Sequence, residues 1–105
     1  DPYEQDLKTL LAQFKQRKAE LNKDIEAEKE ENLKKKYEII EEIKTLVNRK
    51  ESINKTFQEF RELQQKWREI GLVPQANMKD LWENYHHHVE KFLRLYQDKQ
   101  RITRP

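Results

Sequence analysis

The chain contains no cysteine, a single serine and a single glycine in 105 residues. Without cysteine, disulfides, thiolate catalysis and cysteine-based zinc sites are excluded. No apolar run approaches the roughly 20 residues that a membrane-spanning helix needs, so we expect no membrane partner and a cytoplasmic location. No glycine-rich phosphate loop and no recognisable acid–base or nucleophile motif is present. We therefore expect no enzymatic activity, no cofactor and no small-molecule substrate.

What the chain does contain is charge of both signs. Lys and Arg total 22 and Asp and Glu total 20, while only 34% of the residues are hydrophobic. So few apolar residues can form only a narrow core, and this composition is typical of either disorder or long exposed helices. The apolar residues recur at intervals of three and four, which favours helices. The near balance of charge argues against a dedicated polyanion-binding protein.

The first predicted helix runs from about residue 3 to about residue 50, because no glycine or proline interrupts this stretch. Its first apolar stripe comprises Tyr3, Leu7, Leu10, Leu11, Phe14, Leu21 and Ile25. The stripe nearly vanishes between residues 26 and 36, and it returns at Leu33, Tyr37, Ile40, Ile43 and Val47. An unbroken helix of this length is about 70 Å long. The rest of the chain cannot cover it, so its first half needs a partner or stays exposed.

The second predicted helix spans about residues 53–70. Ser52 precedes it as a candidate N-cap, and its stripe is Ile53, Phe57, Phe60, Leu63, Trp67 and Ile70. Gly71 follows where a left-handed residue commonly ends a helix, a conformation that only glycine adopts without penalty. Pro74 then prevents the helix from continuing. We therefore predict a tight turn that starts at Gly71.

The third predicted helix spans about residues 76–99. Asn77 and Asp80 resemble a capping arrangement at its start, and its apolar face is Met78, Leu81, Trp82, Tyr85, Val89, Phe92, Leu93 and Tyr96. We expect residues 102–105 to fray. Both tryptophans lie on apolar stripes beside the turn. Core packing is therefore the favoured interpretation for Trp67 and Trp82, ahead of a base-stacking or ligand platform.

The predicted fold is all-α: a three-helix antiparallel bundle, or coiled-coil hairpin, with a long N-terminal helix. Residues 1–31 form a helical stalk, and residues 32–105 form the three-helix unit. Sliding the chain against itself by about 82 positions places Tyr3 on Tyr85, and it matches four further pairs. These pairs are Leu7 with Val89, Leu10 with Phe92, Leu11 with Leu93, and Phe14 with Tyr96. The match predicts that the stalk is the end of a preceding repeat's last helix.

A family resemblance supports the repeat. The run from Trp67 to Pro74 reads W-R-E-I-G-L-V-P, and Leu81, Trp82 and Tyr85 follow it. Together with the N-L-K-K-K run at residues 32–36, it resembles the bacterial repeat family called domain of unknown function 349, over roughly residues 32–97. The resemblance implies a helical unit without an established activity. The structural signature that it assigns consists of Trp67, Ile70, Gly71, Val73, Pro74, Leu81, Trp82 and Tyr85. The three consecutive histidines at 86–88 depart from the family's usual small or basic residues.

Two polar clusters are candidates for binding. His86, His87 and His88 cannot chelate one ion together, because consecutive helical side chains point about 100° apart. Packing or surface histidines are therefore favoured over a metal site. Lys34, Lys35 and Lys36, with Arg49 and Lys50 further on, could contact a polyanion, but glutamates adjoin them and a solvated charged face is favoured.

The predicted function is a non-catalytic interaction or scaffold module of a bacterial cytoplasmic protein, built from helical repeats. Its N-terminal helix would bind a protein partner or a second copy of the chain. The alternative is an RNA- or ribosome-associated module that uses the lysine-rich face. The sequence indicates neither the partner nor the biological process.

Overall fold

A computed structural model describes residues 1–103 of the chain. Of the four residues that were expected to fray, 102 and 103 are helical, and 104 and 105 lie outside the described residues. The described part contains three α-helices, α1 (Pro2–Leu46), α2 (Ile53–Glu69) and α3 (Met78–Thr103), with a short 3-10 helix (Gln75–Asn77) before α3. The all-α prediction and its long N-terminal helix are confirmed. Among residues 1–103, no helix is long and apolar enough to cross a membrane.

The helix α1 begins where the sequence predicts and ends earlier. Asp1 caps it by accepting a hydrogen bond from the Tyr3 amide at 3.1 Å, and Pro2 occupies the first helical position, where its missing N–H costs nothing. The predicted end at residue 50 is wrong, because the last regular residue is Leu46. There the chain tightens: the amides of Asn48 and Arg49 donate to carbonyls three residues back, those of Thr45 and Leu46. Such 3-10-type bonds commonly close a helix without glycine or proline.

The second half of α1 packs with α2 and α3 as a bundle. Its main core consists of Ile39, Ile43 and Leu46 from α1, Phe60 and Leu63 from α2, and Val89 and Phe92 from α3. A smaller cluster of Ile40, Val73 and Leu81 lies beside it, near the connection between α2 and α3. Phe60 stacks on Phe92 with ring centroids 4.5 Å apart, so α2 and α3 meet through aromatic rings.

The connection between α2 and α3 differs from the predicted tight turn. No glycine in the described residues has a positive φ, so the left-handed assignment of Gly71 is wrong. The chain instead leaves α2 by becoming extended at Ile70, with φ −74° and ψ 135°. Pro74 is also extended, with ψ 134°. Because the residue before a proline avoids helical conformations, this segment crosses the end of the bundle as extended chain.

The first half of α1 projects from the bundle, and residues 1–31 are the stalk. Every residue from 1 to 28 is exposed. The molecule measures 89 × 22 × 17 Å, and its radius of gyration is 22.8 Å, whereas a compact chain of this length has about 13 Å. The stalk therefore makes the molecule a rod with a bundle at one end.

Candidate functional site

The stalk carries an apolar stripe that no other described residue covers. The stripe consists of Tyr3, Leu7, Leu10, Leu11, Phe14, Leu21 and Ile25, whose exposed fractions range from 41% to 78%. The spacing puts these side chains on one side of α1. Ala12 and Ala19 lie on the opposite side. Exposed apolar surface of this extent commonly marks an interaction site, and α1 supplies the rigid backbone that holds the stripe in line.

The stalk joins the bundle at Asn32. Its side-chain amide donates a hydrogen bond of 2.8 Å to the backbone carbonyl of Leu72, in the extended segment that follows α2. A Cβ atom on Gly71 would lie 3.3 Å from the Asn32 Nδ2 atom. The absence of a side chain at Gly71 therefore leaves room for this amide, which is a different reason for glycine from the one that the sequence suggests.

Trp67 is half-buried and packs against both hydrophobic clusters. The Trp67 ring stacks on the Tyr85 ring of α3, with 3.8 Å between the centroids. The Nζ atom of Lys36, on α1, lies 4.6 Å from the centroid of the Trp67 ring. Burial lowers the pKa of Lys36 and raises the pKa of Tyr85. Trp67 thus ties all three helices together, in line with the interpretation that it is a core residue.

Trp82 does not belong to the core, and that prediction is wrong. Its side chain is 61% exposed, and its ring lies over His86 one turn further along α3, with centroids 4.1 Å apart. Leu81 and Tyr85 are the residues of this part of α3 that turn toward α1 and α2. Because the apolar face of α3 is wider than the groove that receives it, Met78 and Trp82 are left at its exposed edge.

The remaining signature residues divide between the core and the connection. Val73 and Leu81 are buried together with Ile40, and Ile70 packs against the main core. Pro74 precedes the 3-10 helix at residues 75–77. The signature therefore marks the connection between α2 and α3 and its seat on α1.

The three histidines lie in different surroundings. His86 contacts Trp82 and meets Tyr85 edge-on, while His87 and His88 contact each other at 4.9 Å. Burial lowers the pKa of His88, as do the nearby Lys44, His87 and Lys91, and Glu41 opposes them. Among residues 1–103, no three His, Cys, Asp or Glu side chains come together as a metal site would require.

The five predicted polyanion contacts do not share one environment. Lys34 and Lys35 are exposed on α1, whereas Lys36 is half-buried over Trp67. Arg49 forms an ion pair of 3.1 Å with Glu59 of α2, and Lys50 is exposed in the connection between α1 and α2. Binding of a polyanion at these positions stays a prediction.

Three polar contacts between or within helices were not predicted. The first is the hydrogen bond of Asn32 described above. In the second, the Tyr37 hydroxyl on α1 donates a 2.8 Å hydrogen bond to the carboxylate of Asp80 on α3, a residue that was expected to help cap α3. This bond raises the pKa of Tyr37, with burial and the Asp80 charge adding to it. Thr56 is buried and donates to the Ser52 carbonyl at 3.1 Å. The sequence signal for the burial of Thr56 was its position on the apolar stripe of α2, three residues after Ile53.

Comparison with known proteins identifies a family and nothing more specific. Neither a comparison with curated proteins nor one with solved structures gave a match. A family model described as Domain of Unknown Function (DUF349) matches residues 4–76. The match begins within the stalk and ends before α3, whereas the sequence resemblance placed the unit at residues 32–97. Since it covers more than half of the 105 residues, the chain belongs to the family of the Domain of Unknown Function (DUF349).

Proposed function

We propose that this chain is a non-catalytic interaction module, one unit of a helical-repeat scaffold in a bacterial cytoplasmic protein. The stalk is its contact surface, and the bundle is the anchor that holds the stalk in place. The partner is a protein, either another polypeptide or another copy of the unit.

The observation that carries this proposal is the exposed stripe from Tyr3 to Ile25. Burying apolar area contributes about 25 cal/mol per Å², so seven large side chains on one face represent a substantial gain in free energy when a partner covers them. Such a stripe is costly to leave in water along a rigid helix. Its presence supports binding as the role of the stalk.

The way in which polar residues are used supports the non-catalytic part. The hydrogen bond of Asn32 connects α1 to the extended segment after α2, that of Tyr37 connects α1 to α3, and that of Thr56 stabilises the start of α2. The groups whose pKa values are shifted, Lys36, Tyr37, Tyr85 and His88, lie at packing contacts of the bundle. Their chemistry is accounted for by holding the fold together.

Site-specific photo-crosslinking tests the proposal. A photoreactive amino acid replaces Leu10, on the stripe, or Ala12, on the opposite side of the stalk, in the protein expressed in its own cells. We expect a discrete crosslinked product from position 10 and much less from position 12. Leu7→Glu should remove the product at position 10, because a buried charge without a partner opposes docking.

The matched control is Gln5→Glu, which adds the same charge on the far side of the stalk. It should leave the crosslink unchanged. Equal crosslinking from positions 10 and 12, or no product from either, would contradict the proposal.

A second candidate function, RNA binding, rests on the exposed Lys34, Lys35 and Lys50. It predicts RNA binding at low salt that weakens steeply as salt is added, since phosphate contacts release counterions. Changing Lys34 and Lys35 to Glu should weaken it, while Lys36 is better left intact because it packs on Trp67. Absence of binding at low salt would exclude this candidate.

A further inference from the structure

The α3 helix shows how a helix of this chain with an apolar stripe binds to α1 and α2. Its residues Val89 and Phe92 are buried in the groove between α1 and α2, and Tyr85 and Leu93 pack against the same core. Tyr96 stacks on Phe57 of α2 at 4.3 Å. These five positions form the part of the contact face of α3 that follows Leu81.

The stalk repeats this contact face. Shifted by 82 positions, the five α3 residues fall on Tyr3, Leu7, Leu10, Leu11 and Phe14. All five stalk residues are apolar or aromatic and all are exposed, whereas their counterparts fill the groove. The same side-chain pattern thus occurs once buried in a groove, on α3, and once exposed, on the stalk.

The extent of the family match is in keeping with the 82-residue shift. The match starts at residue 4 and ends at residue 76, so it includes the stalk and excludes α3. Residue 4 shifted by 82 positions is residue 86, within α3. With a period of 82 residues, α3 occupies the position where a following unit would begin, and the stalk is the corresponding beginning of this unit.

His88 of α3 faces Lys44 and Glu41 of α1, and Lys44 is among the groups that lower its pKa. The stalk has Asp6 at the position of His88. Against a hairpin like this one, the Asp6 carboxylate would lie close to Lys44, which attracts it, and to Glu41, which repels it.

We propose that the stalk stripe is the docking surface for a two-helix hairpin of the kind formed by residues 33–73, supplied by another unit of the same family. This inference rests on the proposed function, because it names the partner of the same stripe. A second copy of this chain does not qualify as the occupant, since its own α3 fills the groove. The occupant is a hairpin whose groove is open, so that one unit's bundle is closed by the next unit's stalk.

A graft within the full chain tests whether the stalk fits the groove. Residues 85–96 are replaced by the twelve residues of segment 3–14. The control graft uses segment 10–21, which keeps nearly the same helical phase, since seven residues are close to two turns, but puts Arg17 at the fully buried position of Phe92. We expect the 3–14 graft to melt cooperatively within about 10 °C of the parent chain, and the control to lose its cooperative transition.

A tandem chain tests docking directly. Residues 32–84 are joined in front of residue 3, so that an additional hairpin with an open groove precedes the stalk. Amide hydrogen exchange at residues 7–14 should slow by about 100-fold or more relative to the 105-residue chain. Leu7→Glu with Leu10→Glu in the stalk should restore fast exchange, and exchange in the C-terminal bundle should stay unchanged.

The outcomes separate this inference from the proposed function. If both grafts unfold and the stalk exchanges equally fast in both chains, the hairpin is the wrong occupant, yet a crosslink at position 10 would still support the stalk as a contact surface. A dimer of the 105-residue chain in light scattering that Leu10→Glu dissociates makes a second copy's stalk the occupant, and it overturns this inference. A monomer with a folded 3–14 graft and a protected stalk supports it.

Discussion

The two tryptophans show how much a single residue's position matters within an apolar stripe. Trp67 contacts the core, Tyr85 and Lys36, whereas Trp82 is largely exposed. We expect Trp67→Ala to reduce the free energy of unfolding by about 3 kcal/mol and Trp82→Ala by less than about 1 kcal/mol. Chemical denaturation followed by circular dichroism measures both. Equal losses would contradict the packing described for these rings.

Gly71 and Asn32 form a second pair that can be tested together. An alanine at 71 would put its Cβ 3.3 Å from the Asn32 amide, so the amide must shift by a few tenths of an ångström and its bond to Leu72 weakens. We expect Gly71→Ala to change stability by less than about 1 kcal/mol, because alanine also reduces the freedom of the unfolded chain. Asn32→Ala should cost about 0.5–1.5 kcal/mol.

The double variant of Gly71 and Asn32 distinguishes crowding from backbone strain. With Asn32 already alanine, the crowding is gone, and Gly71→Ala should become neutral or stabilising by up to about 1 kcal/mol. A loss above about 2 kcal/mol in both backgrounds would instead indicate a backbone conformation that alanine cannot adopt.

His88 gives the bundle a dependence on pH. Its pKa in the folded chain lies below the ordinary 6.5 because of burial, with Lys44, His87 and Lys91 contributing. The unfolded chain therefore binds this proton more readily than the folded chain. The contribution of neutral His88 to stability is fully present above about pH 6.5, and it is lost as the pH falls through the folded pKa. Between pH 7.5 and 5.5, the melting temperature of the wild type should fall more than that of His88→Gln. Equal falls in thermal melts would exclude this contribution.

At the scale of elements, sequence patterns predict the helices well and their ends unevenly. Periodic apolar residues predict all three helices, and Ser52 caps α2 as expected, accepting from the Lys55 amide at 3.3 Å. The end of α1 was missed because it is made by 3-10-type backbone bonds, which leave no mark in residue type. The connection after α2 was predicted wrongly because Gly71 leaves room for the side chain of Asn32, which lies 39 positions earlier. Local sequence cannot show such a contact.

The candidate stripe, in contrast, is visible in the sequence because it depends only on helical periodicity. Its exposure also follows from length, since the short α2 and α3 cannot cover an α1 of 45 residues. Which side chains of α3 fill the groove is harder to predict. Met78 and Trp82 match the helical period as well as Leu81 does, and only the relative placement of α1 and α2 decides which of them is buried.

Ser52 allows a test of the α2 element. Its hydroxyl accepts the Lys55 amide, and its carbonyl accepts the hydroxyl of the buried Thr56. We expect Ser52→Ala to cost about 1 kcal/mol, and Ser52→Asp to retain most of the stability, because aspartate is an equally good N-cap. Thermal melts of both variants measure this. If the aspartate variant is as unstable as the alanine variant, the cap is not what Ser52 contributes.

At the scale of the whole molecule, the bundle and the stalk are energetically separate. The core residues of the bundle all lie at or after Ile39, and residues 1–28 are exposed throughout. Deleting residues 1–28 should therefore leave the melting temperature of the bundle within about 3 °C of the full chain. In small-angle scattering, the radius of gyration should fall from 22.8 Å toward the roughly 12 Å of a compact chain of the remaining length. Residues 29–32 are retained because Asn32 holds the segment after α2, and a further deletion through residue 32 should lower the melting temperature as Asn32→Ala does. A large loss of stability from the first deletion would show that the stalk supports the bundle, and it would then be part of the fold as well as a surface for binding.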